Sequence, residues 1–348
     1  MRLYRILLQL FSLPVLVGPL FDRETGRAYG VGFWRKLGLA CRMIRNNLAI
    51  ASASSFIEHL LMAATLLNVP KEVEGVVVEC GTYKGVSAAN LSLACALVGR
   101  RLAIFDSFQG LPEPDARDQV HTLLAVREKH SYASGAWCGT LEEVRANIRR
   151  FGRLEVCDFH PGFFHESLPA FRTPCVLAWV DVDLRSSLEP CVRYLWPLLA
   201  DGGVFYTHEA MHTEIASLFY SQSWWRQNLA CDPPGLVGAG TGLGLKILSG
   251  PYFTSSLGFT VKNPATADFH LLPQKGGMKL GLQAVWALAQ PPRGKHETVP
   301  PARSGFISHP EARRAEGSLR DPSGEKRSPQ DDRTYETASS EPARGRPR

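Results

Sequence analysis

Several common sequence signatures are missing, and each absence narrows what the protein can be. The eight cysteines include no C-x-x-C pair, which argues against a zinc ribbon or a thioredoxin-like site. No uninterrupted apolar run reaches about 18 residues, so the chain is not a polytopic membrane protein. With 45% hydrophobic and 21% charged residues, the composition also excludes wholesale disorder, collagen and a coiled coil. The 348 residues are enough for one large domain or two ordinary ones.

The positive charge is concentrated at the two ends of the chain. Residues 1–50 carry a net charge of +6, residues 51–290 carry −3, and residues 291–348 carry +3. A nucleic-acid enzyme is expected to carry its basic surface on the folded domain, so nucleic acid is not an expected partner. The scattered cysteines lie on apolar segments and are expected to be buried thiols in a reducing compartment, which predicts a cytoplasmic location.

Residues 1–70 form an N-terminal segment that is expected to be helical. Arg2 and Arg5 precede an apolar stretch, Ile6–Leu20, which prolines interrupt and which is too short to span a bilayer comfortably. Three interpretations stay open: a helix packed on the domain or on the second subunit of a homodimer, a membrane-interface anchor, and a cleaved signal. Further along, apolar residues at helical spacing predict a helix over residues 51–70.

Residues 71–290 alternate short Val/Ile/Leu-rich runs with amphipathic segments. This alternation predicts an α/β domain with a doubly wound, mostly parallel sheet that helices cover on both faces. The predicted strands are Gly75–Glu79, Leu102–Phe105, Val176–Val180, Gly203–Tyr206, Gly244–Leu248 and Gly258–Val261. The predicted helices are Ser87–Val98, Leu141–Phe151 and Ser187–Leu199. From residue 291 onward Pro, Arg, Ser, Glu and Gly dominate, so residues 291–348 are predicted to be a disordered tail.

The first chemical motif is a strand that runs into a glycine turn. Glu79 lies at the strand tip, Gly81 and Gly85 follow, and Asp106 ends the next strand 21 residues after Gly85. An acid at that distance is typical of a carboxylate that binds both hydroxyls of a ribose. The full G-x-G-x-x-G is absent and a carboxylate in the turn would repel a pyrophosphate, so the pattern favours S-adenosylmethionine, which carries a sulfonium and an ammonium. The alternative is that the glycines are plain turn residues and that Glu79 is solvated.

The second motif is an Asp-Val-Asp string at the end of a buried strand. Asp181 and Asp183 are two residues apart, so their side chains are expected to point to opposite sides of an extended chain. One carboxylate is then available for a divalent cation and the other for a substrate, as a general base. His208 and Glu209 follow the next strand and are expected to lie near Asp181, because neighbouring strand tips converge. The alternative is that the two aspartates cap the following helix and pair with Arg185.

Five segments of the chain resemble the macrocin O-methyltransferase family, over roughly Val73 to Glu214. They are Val78–Ala88 (VECGTYKGVSA), Phe105–Asp115 (FDSFQGLPEPD), Gly139–Ile148 (GTLEEVRANI), His160–Pro169 (HPGFFHESLP) and Val180–Gly203 (VDVDLRSSLEPCVRYLWPLLADGG). The resemblance implies a Rossmann-like fold of the class I methyltransferase type, with S-adenosylmethionine as cofactor and a sugar hydroxyl of a natural product as methyl acceptor.

The resemblance also implies roles for individual residues. It assigns cofactor binding to Glu79, Gly81, Gly85, Ser87, Asp106, Ser107 and Phe108. The loops at Gly139–Thr140 and Gly162–Phe163 would lie near the adenine or the mouth of the site. Asp181 would be a magnesium ligand, and Asp183 would remove the proton of the sugar hydroxyl.

His208 and Glu209 depart from the family, which has a pair of aspartates there that completes the metal site. Because magnesium prefers an all-oxygen shell, an imidazole at this position suits manganese or iron better. The metal set predicted is therefore Asp181, His208 and Glu209, holding magnesium or manganese. The alternative is that no metal binds and that His208 is the base.

The sequence thus predicts an S-adenosylmethionine-dependent O-methyltransferase that acts on a sugar or a related small molecule. Two other classes stay open. A glycosyltransferase also uses a D-x-D string after a buried strand, to hold a metal and a nucleotide diphosphate. A non-catalytic methyltransferase-like binding protein is compatible with the altered metal residues. The basic, apolar N-terminus adds peripheral membrane contact as an expectation.

Overall fold

The computed structural model describes residues 18–118, 120–122, 125–130, 132–210, 212–237 and 257–263, with the backbone alone at 120–130. All of these residues belong to the first of two compact units, Met1–Pro291. The predicted tail at 291–348, the predicted strand Gly244–Leu248 and the apolar segment up to residue 17 lie outside the described residues.

A six-stranded sheet forms the centre of the domain. The strands are β1 (Val76–Cys80), β2 (Leu102–Asp106), β3 (Val120–Thr122), β4 (Ala125–His130), β5 (Cys157–Pro161), β6 (Cys175–Val180), β7 (Leu199–Thr207) and β8 (Gly258–Val261). The sheet order is β5-β2-β1-β6-β7-β8, and β3 and β4 pair separately as an antiparallel hairpin. Within the sheet β8 runs antiparallel to β7, and the other neighbours are parallel. The predicted doubly wound, mostly parallel α/β sheet is confirmed.

Helices cover both faces of the sheet. Those with both ends in the described part of the chain are α1 (Phe33–Ala49), α2 (Phe56–Asn68), α3 (Val86–Val98), α4 (Leu141–Phe151), α5 (Phe164–Ser167), α6 (Arg185–Leu195), α7 (Thr213–Leu218) and α8 (Gln222–Leu229). The helix predicted over 51–70 starts later because Ser55 and Glu58 form a capping box. No helix among the described residues is both long enough and apolar enough to cross a membrane.

Two sequence-based boundaries need correction. The helix predicted to run from Ser187 to Leu199 ends at Leu195, because Pro197 cannot continue a helix and Leu199 already starts β7. Strand β5 was not predicted, since its sequence CDFHP has neither an apolar run nor a clean alternation. It pairs along one side only, with β2, as an edge strand in which polar residues and a proline are tolerated.

The core lies in two layers, one on each side of the sheet. Strand β6 is buried along its whole length, with Trp179 on one side and Val180 on the other. All eight cysteines are free thiols, five of them buried, while Cys41 is exposed, contrary to the expectation that the thiols are buried. Because β1, β2, β6 and β7 are parallel, their carboxyl ends meet along one edge of the sheet, and the loops that follow them form the site.

Candidate active site

A cleft opens at the carboxyl ends of β1, β2 and β6. Its wall comprises Ser52, Ala53, Ser54, Gly81, Thr82, Tyr83, Val86, Ser87, Asp106, Ser107, Gly110, Leu111, Pro112, Trp137, Phe163, Phe164, Asp181, Val182, Asp183 and Ser187. Four of the seven residues predicted to bind a cofactor are on this wall, namely Gly81, Ser87, Asp106 and Ser107. Glu79, Gly85 and Phe108 are not among the described residues that line it. The two motifs predicted from sequence therefore share one cavity.

Gly81 packs the turn after β1 directly against the turn after β6. Its φ of 82° lies in the left-handed region, and a Cβ added there would come 1.8 Å from the backbone oxygen of Asp181. Only glycine fits both conditions. The absence of a side chain therefore brings the two strand tips together and leaves the Gly81 backbone facing the cleft.

Glu79 is fully buried behind the cleft wall, so the expectation of a solvated carboxylate is excluded. The hydroxyl of Ser87, which is on the wall, donates a hydrogen bond to Glu79 Oε1, and Oε2 has no hydrogen-bond partner among the described residues. Burial raises the pKa of Glu79 to about 8, and the nearby carboxyls of Asp106 and Asp181 act in the same direction. Glu79 is therefore neutral at neutral pH, and Ser87 separates it from the cleft.

Asp106 joins the turn after β1 to the turn after β2. Its Oδ2 accepts a hydrogen bond from the backbone N–H of Thr82 at 2.7 Å, and its Oδ1 accepts one from the N–H of Phe108 at 2.7 Å. Burial raises its pKa, against these two hydrogen bonds. A carboxylate has about four acceptor positions, and the N–H of Tyr83 also acts on this one, so capacity remains for at least one further donor from the cleft. Phe108 turns its ring into the core instead.

The sequence predicts that the two aspartates after β6 lie on an extended chain with their side chains on opposite sides. This prediction is wrong. The strand ends at Val180, and Asp183 has a φ of 60°, so both aspartates reach the same cleft. They differ in their partners, since Asp183 is hydrogen-bonded to Tyr132 and Asp181 to His208. Burial and the Asp183 charge raise the pKa of Tyr132, which keeps this phenol protonated as a donor. A non-glycine residue held in this conformation is typical of functional sites.

His208 lies in a buried cluster of three carboxyl groups. Its Nδ1 is 3.3 Å from Asp181 Oδ1 and 3.6 Å from Glu209 Oε1, and its Nε2 is 3.5 Å from Glu58 Oε2. Burial alone would lower the pKa of His208, but Asp181 and Glu58 raise it well above its usual value. In the same cluster, burial and Asp181 raise the pKa of Glu209. The imidazole therefore carries its proton already, which disfavours His208 as the base.

Asp181, His208 and Glu209 each offer one ligand atom, and these atoms lie within 4.8 Å of one another. The donor set of two carboxylates and one imidazole does not fit magnesium, which prefers oxygen alone. It fits a transition metal ion of the manganese type. Glu58 on α2 would then accept the Nε2 proton and orient the ring, as carboxylates behind metal-bound histidines do.

The loop before α2 supplies wall residues that the sequence did not reveal, above all Ser54. Asn90 uses its amide nitrogen to donate to Asn47 Oδ1 and to His59 Nδ1, so His59 carries its proton on Nε2 and donates it to Ser54. Burial lowers the pKa of His59 to about 4, in agreement with a neutral ring. The hydroxyl hydrogen of Ser54 is left to donate. No local sequence signal marks this network, because its members come from three different helices or their flanks.

Aromatic side chains complete the cleft wall. Phe163 comes from the loop at Gly162–Phe163, which the resemblance had placed near the mouth of the site, and Phe164 begins α5 directly after it. Trp137 packs edge-on against Tyr83, with ring centroids 5.4 Å apart. These rings provide apolar surfaces on which a planar base or a sugar ring can pack.

One family model matches the stretch of the chain that forms the cleft. Residues 57–218 match the model described as macrocin-O-methyltransferase (TylF). The chain carries a macrocin O-methyltransferase domain. The matched residues contain all the strand tips that border the cleft, and the match indicates a methyltransferase. No curated protein matches the chain at a significant level.

Solved structures of low identity align with the domain. The O-methyltransferase NovP aligns at a TM-score of 0.46 with 19% identity, over 75% of this chain and 98% of that one. The calicheamicin methyltransferase CalS11 aligns at 0.39 with 16% identity, over 65% and 92% of the two chains. An O-methyltransferase from Bacillus cereus, in complex with SAH, aligns at 0.38 with 14% identity, over 65% and 91%.

Proposed function

We propose that this protein transfers the methyl group of S-adenosylmethionine to a hydroxyl group of a sugar or of a related small molecule. The observation that carries the proposal is the shared cleft, in which the glycine turn after β1, Asp106 and Asp183 face one cavity. The family match supports methyl transfer. A glycosyltransferase is disfavoured because the described residues of the cleft wall include no Lys or Arg that could pair with a nucleotide diphosphate.

The cofactor would lie across the tips of β1 and β2. The Gly81 backbone allows close approach, Asp106 has acceptor capacity for the ribose hydroxyls, and Ser87 and Ser107 offer hydroxyls on the same wall. When bound, S-adenosylmethionine supplies a methyl group that its positive sulfur has already activated. The protein therefore has to hold the acceptor oxygen in line with that methyl, about 3 Å from it.

In this proposal Asp183 removes the proton of the acceptor hydroxyl. A hydroxyl is a poor nucleophile at neutral pH, and a positioned base accelerates such a step by about 10²- to 10⁴-fold. Asp183 faces the cleft, and the hydrogen bond from Tyr132 holds its carboxylate in place. In the course of the reaction the acceptor proton would pass to the Asp183 carboxylate as the oxygen bonds to the methyl carbon.

A transition metal ion would be held by Asp181, His208 and Glu209. When bound, it would polarise an acceptor hydroxyl and orient the sugar beside Asp183. The homodimer and the cytoplasmic location remain predictions.

The first test is calorimetric titration of S-adenosylhomocysteine into the full chain and into Asp106→Asn. We expect micromolar binding in the wild type and at least a tenfold weaker affinity in the variant. The matched control is Asp158→Asn, which removes a half-exposed carboxylate on β5 that pairs with Arg101 outside the cleft. Absence of binding by a folded wild-type chain would sink the proposal and favour a non-catalytic role. A panel of nucleotide-linked and free sugars then identifies the acceptor by mass spectrometry.

A further inference from the structure

Helix α1 presents a straight line of apolar side chains to the solvent. Trp34 and Leu48 are each 78% exposed and Ile44 is 37% exposed, while Met43 on the opposite face is fully buried. The line is formed by Trp34, Leu37, Cys41, Ile44 and Leu48. Spacings of three and four residues place these side chains on one stripe, about 21 Å long at 1.5 Å per residue. We call it the α1 stripe. An apolar surface of this extent indicates a partner.

The surroundings of the α1 stripe are strongly basic. Between Glu24 and Glu58 the sequence contains five Lys/Arg residues and no acid. Lys36 is buried and Arg27 pairs with Glu24, which leaves Arg35, Arg42 and Arg45 on α1. The lowered pKa of Arg42, caused by burial and by the charges of Arg153 and Arg45, shows that these arginines lie close together. Arg45 and Arg150 both stack on the ring of Phe151, at 5.8 and 5.0 Å, which joins α1 to the end of α4. Glu155 lies 3.8 Å from Arg153 and offsets one charge.

The apolar stripe and the arginines beside it together indicate which kind of partner fits this surface. Two copies of α1 packed on each other would bring rows of arginines together without an acid between them. A nucleic acid would satisfy the arginines but leave the exposed tryptophan and leucines in water. An anionic bilayer surface satisfies both, because apolar side chains enter the interface while arginines meet the headgroups.

We propose that the α1 stripe and the arginines at the end of α4 dock on an anionic lipid surface. The contact is of the interfacial kind, in which a helix lies on the bilayer without crossing it. Arg2, Arg5 and the apolar residues that follow them provide a second basic and apolar signal in the sequence. This inference does not depend on the proposed methyl transfer, since the cleft and the stripe share no residue.

The test is co-sedimentation of the full chain with vesicles of phosphatidylcholine, with and without phosphatidylglycerol. We expect binding that needs phosphatidylglycerol and weakens in high salt. Trp34→Ser combined with Leu48→Ser is expected to lower the partition coefficient at least tenfold. Arg42→Gln combined with Arg45→Gln is expected to lower it on the order of 30-fold, at about 1 kcal/mol per arginine.

Controls separate the stripe from other parts of the chain. Arg226→Gln on α8, which removes an arginine that is 61% exposed, is expected to bind vesicles like the wild type. Equal binding of wild type and stripe variants, or binding lost only in Arg2→Gln with Arg5→Gln, would overturn the proposal. The proposal would also be overturned if the wild type does not bind the vesicles and instead forms a concentration-dependent dimer that Leu48→Ser dissociates. Circular dichroism checks that each variant is folded.

Discussion

The buried carboxyl group of Glu79 makes the stability of this protein depend on pH in a defined direction. In the folded chain its pKa is about 8, against an ordinary value of 4.5. Between these two values the folded state keeps a proton that the unfolded state has released. Stability therefore falls as pH rises through this window, because the unfolded state binds fewer protons. Replacing Glu79 with Gln removes the titrating group but keeps the shape and an acceptor for Ser87.

The size of the effect follows from the difference between the two pKa values. Each unit corresponds to about 1.4 kcal/mol, so raising the pH from about 5.5 to about 8 should cost about 3 kcal/mol of unfolding free energy at this one residue. Glu79→Gln is expected to lack this loss. Other groups titrate equally in both proteins, so the difference between the wild type and the variant isolates Glu79.

Urea denaturation of both proteins, at several pH values in this range, measures the effect. The stability gap should widen in favour of Glu79→Gln as the pH rises. A surface control, Glu143→Gln, removes the carboxylate that pairs with Lys84. Its unfolding free energy should change with pH as that of the wild type does. If the unfolding free energies of the wild type and of Glu79→Gln change with pH in the same way, Glu79 is not protonated in the folded chain. The reasoning about its burial is then refuted.

Three further predictions concern the site itself. Gly81→Ala should lower the unfolding free energy by about 3 kcal/mol or more in urea denaturation, because its Cβ would meet the backbone of the next strand tip. The control is Gly99→Ala, which has a similar φ but open space around it and should cost only about 1 kcal/mol. Asp183→Asn should lower kcat by about 10²- to 10⁴-fold and leave the calorimetric affinity for S-adenosylhomocysteine unchanged, and retained turnover would exclude it as the base. Glu58→Gln should weaken Mn²⁺ binding about 10- to 100-fold in a titration of the metal alone, because the amide holds the His208 ring less firmly. An unchanged affinity would contradict the role of Glu58 in orienting this ring.

The order of strands and helices was predictable from the chain itself. Runs such as Val76–Val78 and Val176–Val180 are apolar on both faces, which is the property of a strand buried in a parallel sheet. Parallel strands end at the same edge, so the motifs that follow Val78 and Val180 had to approach each other. In the structure Asp106 and Asp183 both line one cleft, while the roles that the sequence predicts for them stay predictions.

The tertiary structure decided what surrounds these residues. Glu58 reaches His208 from a helix 150 residues earlier in the chain. Ser54 on the cleft wall is bonded to His59, which Asn90 from another helix orients. The burial of Glu79 and the turn that brings Asp183 into the cleft depend on packing between strand tips, not on neighbours in sequence. Local periodicity determines which segments become strands and helices, whereas the pKa of a buried group depends on charges and surfaces that distant segments bring to it.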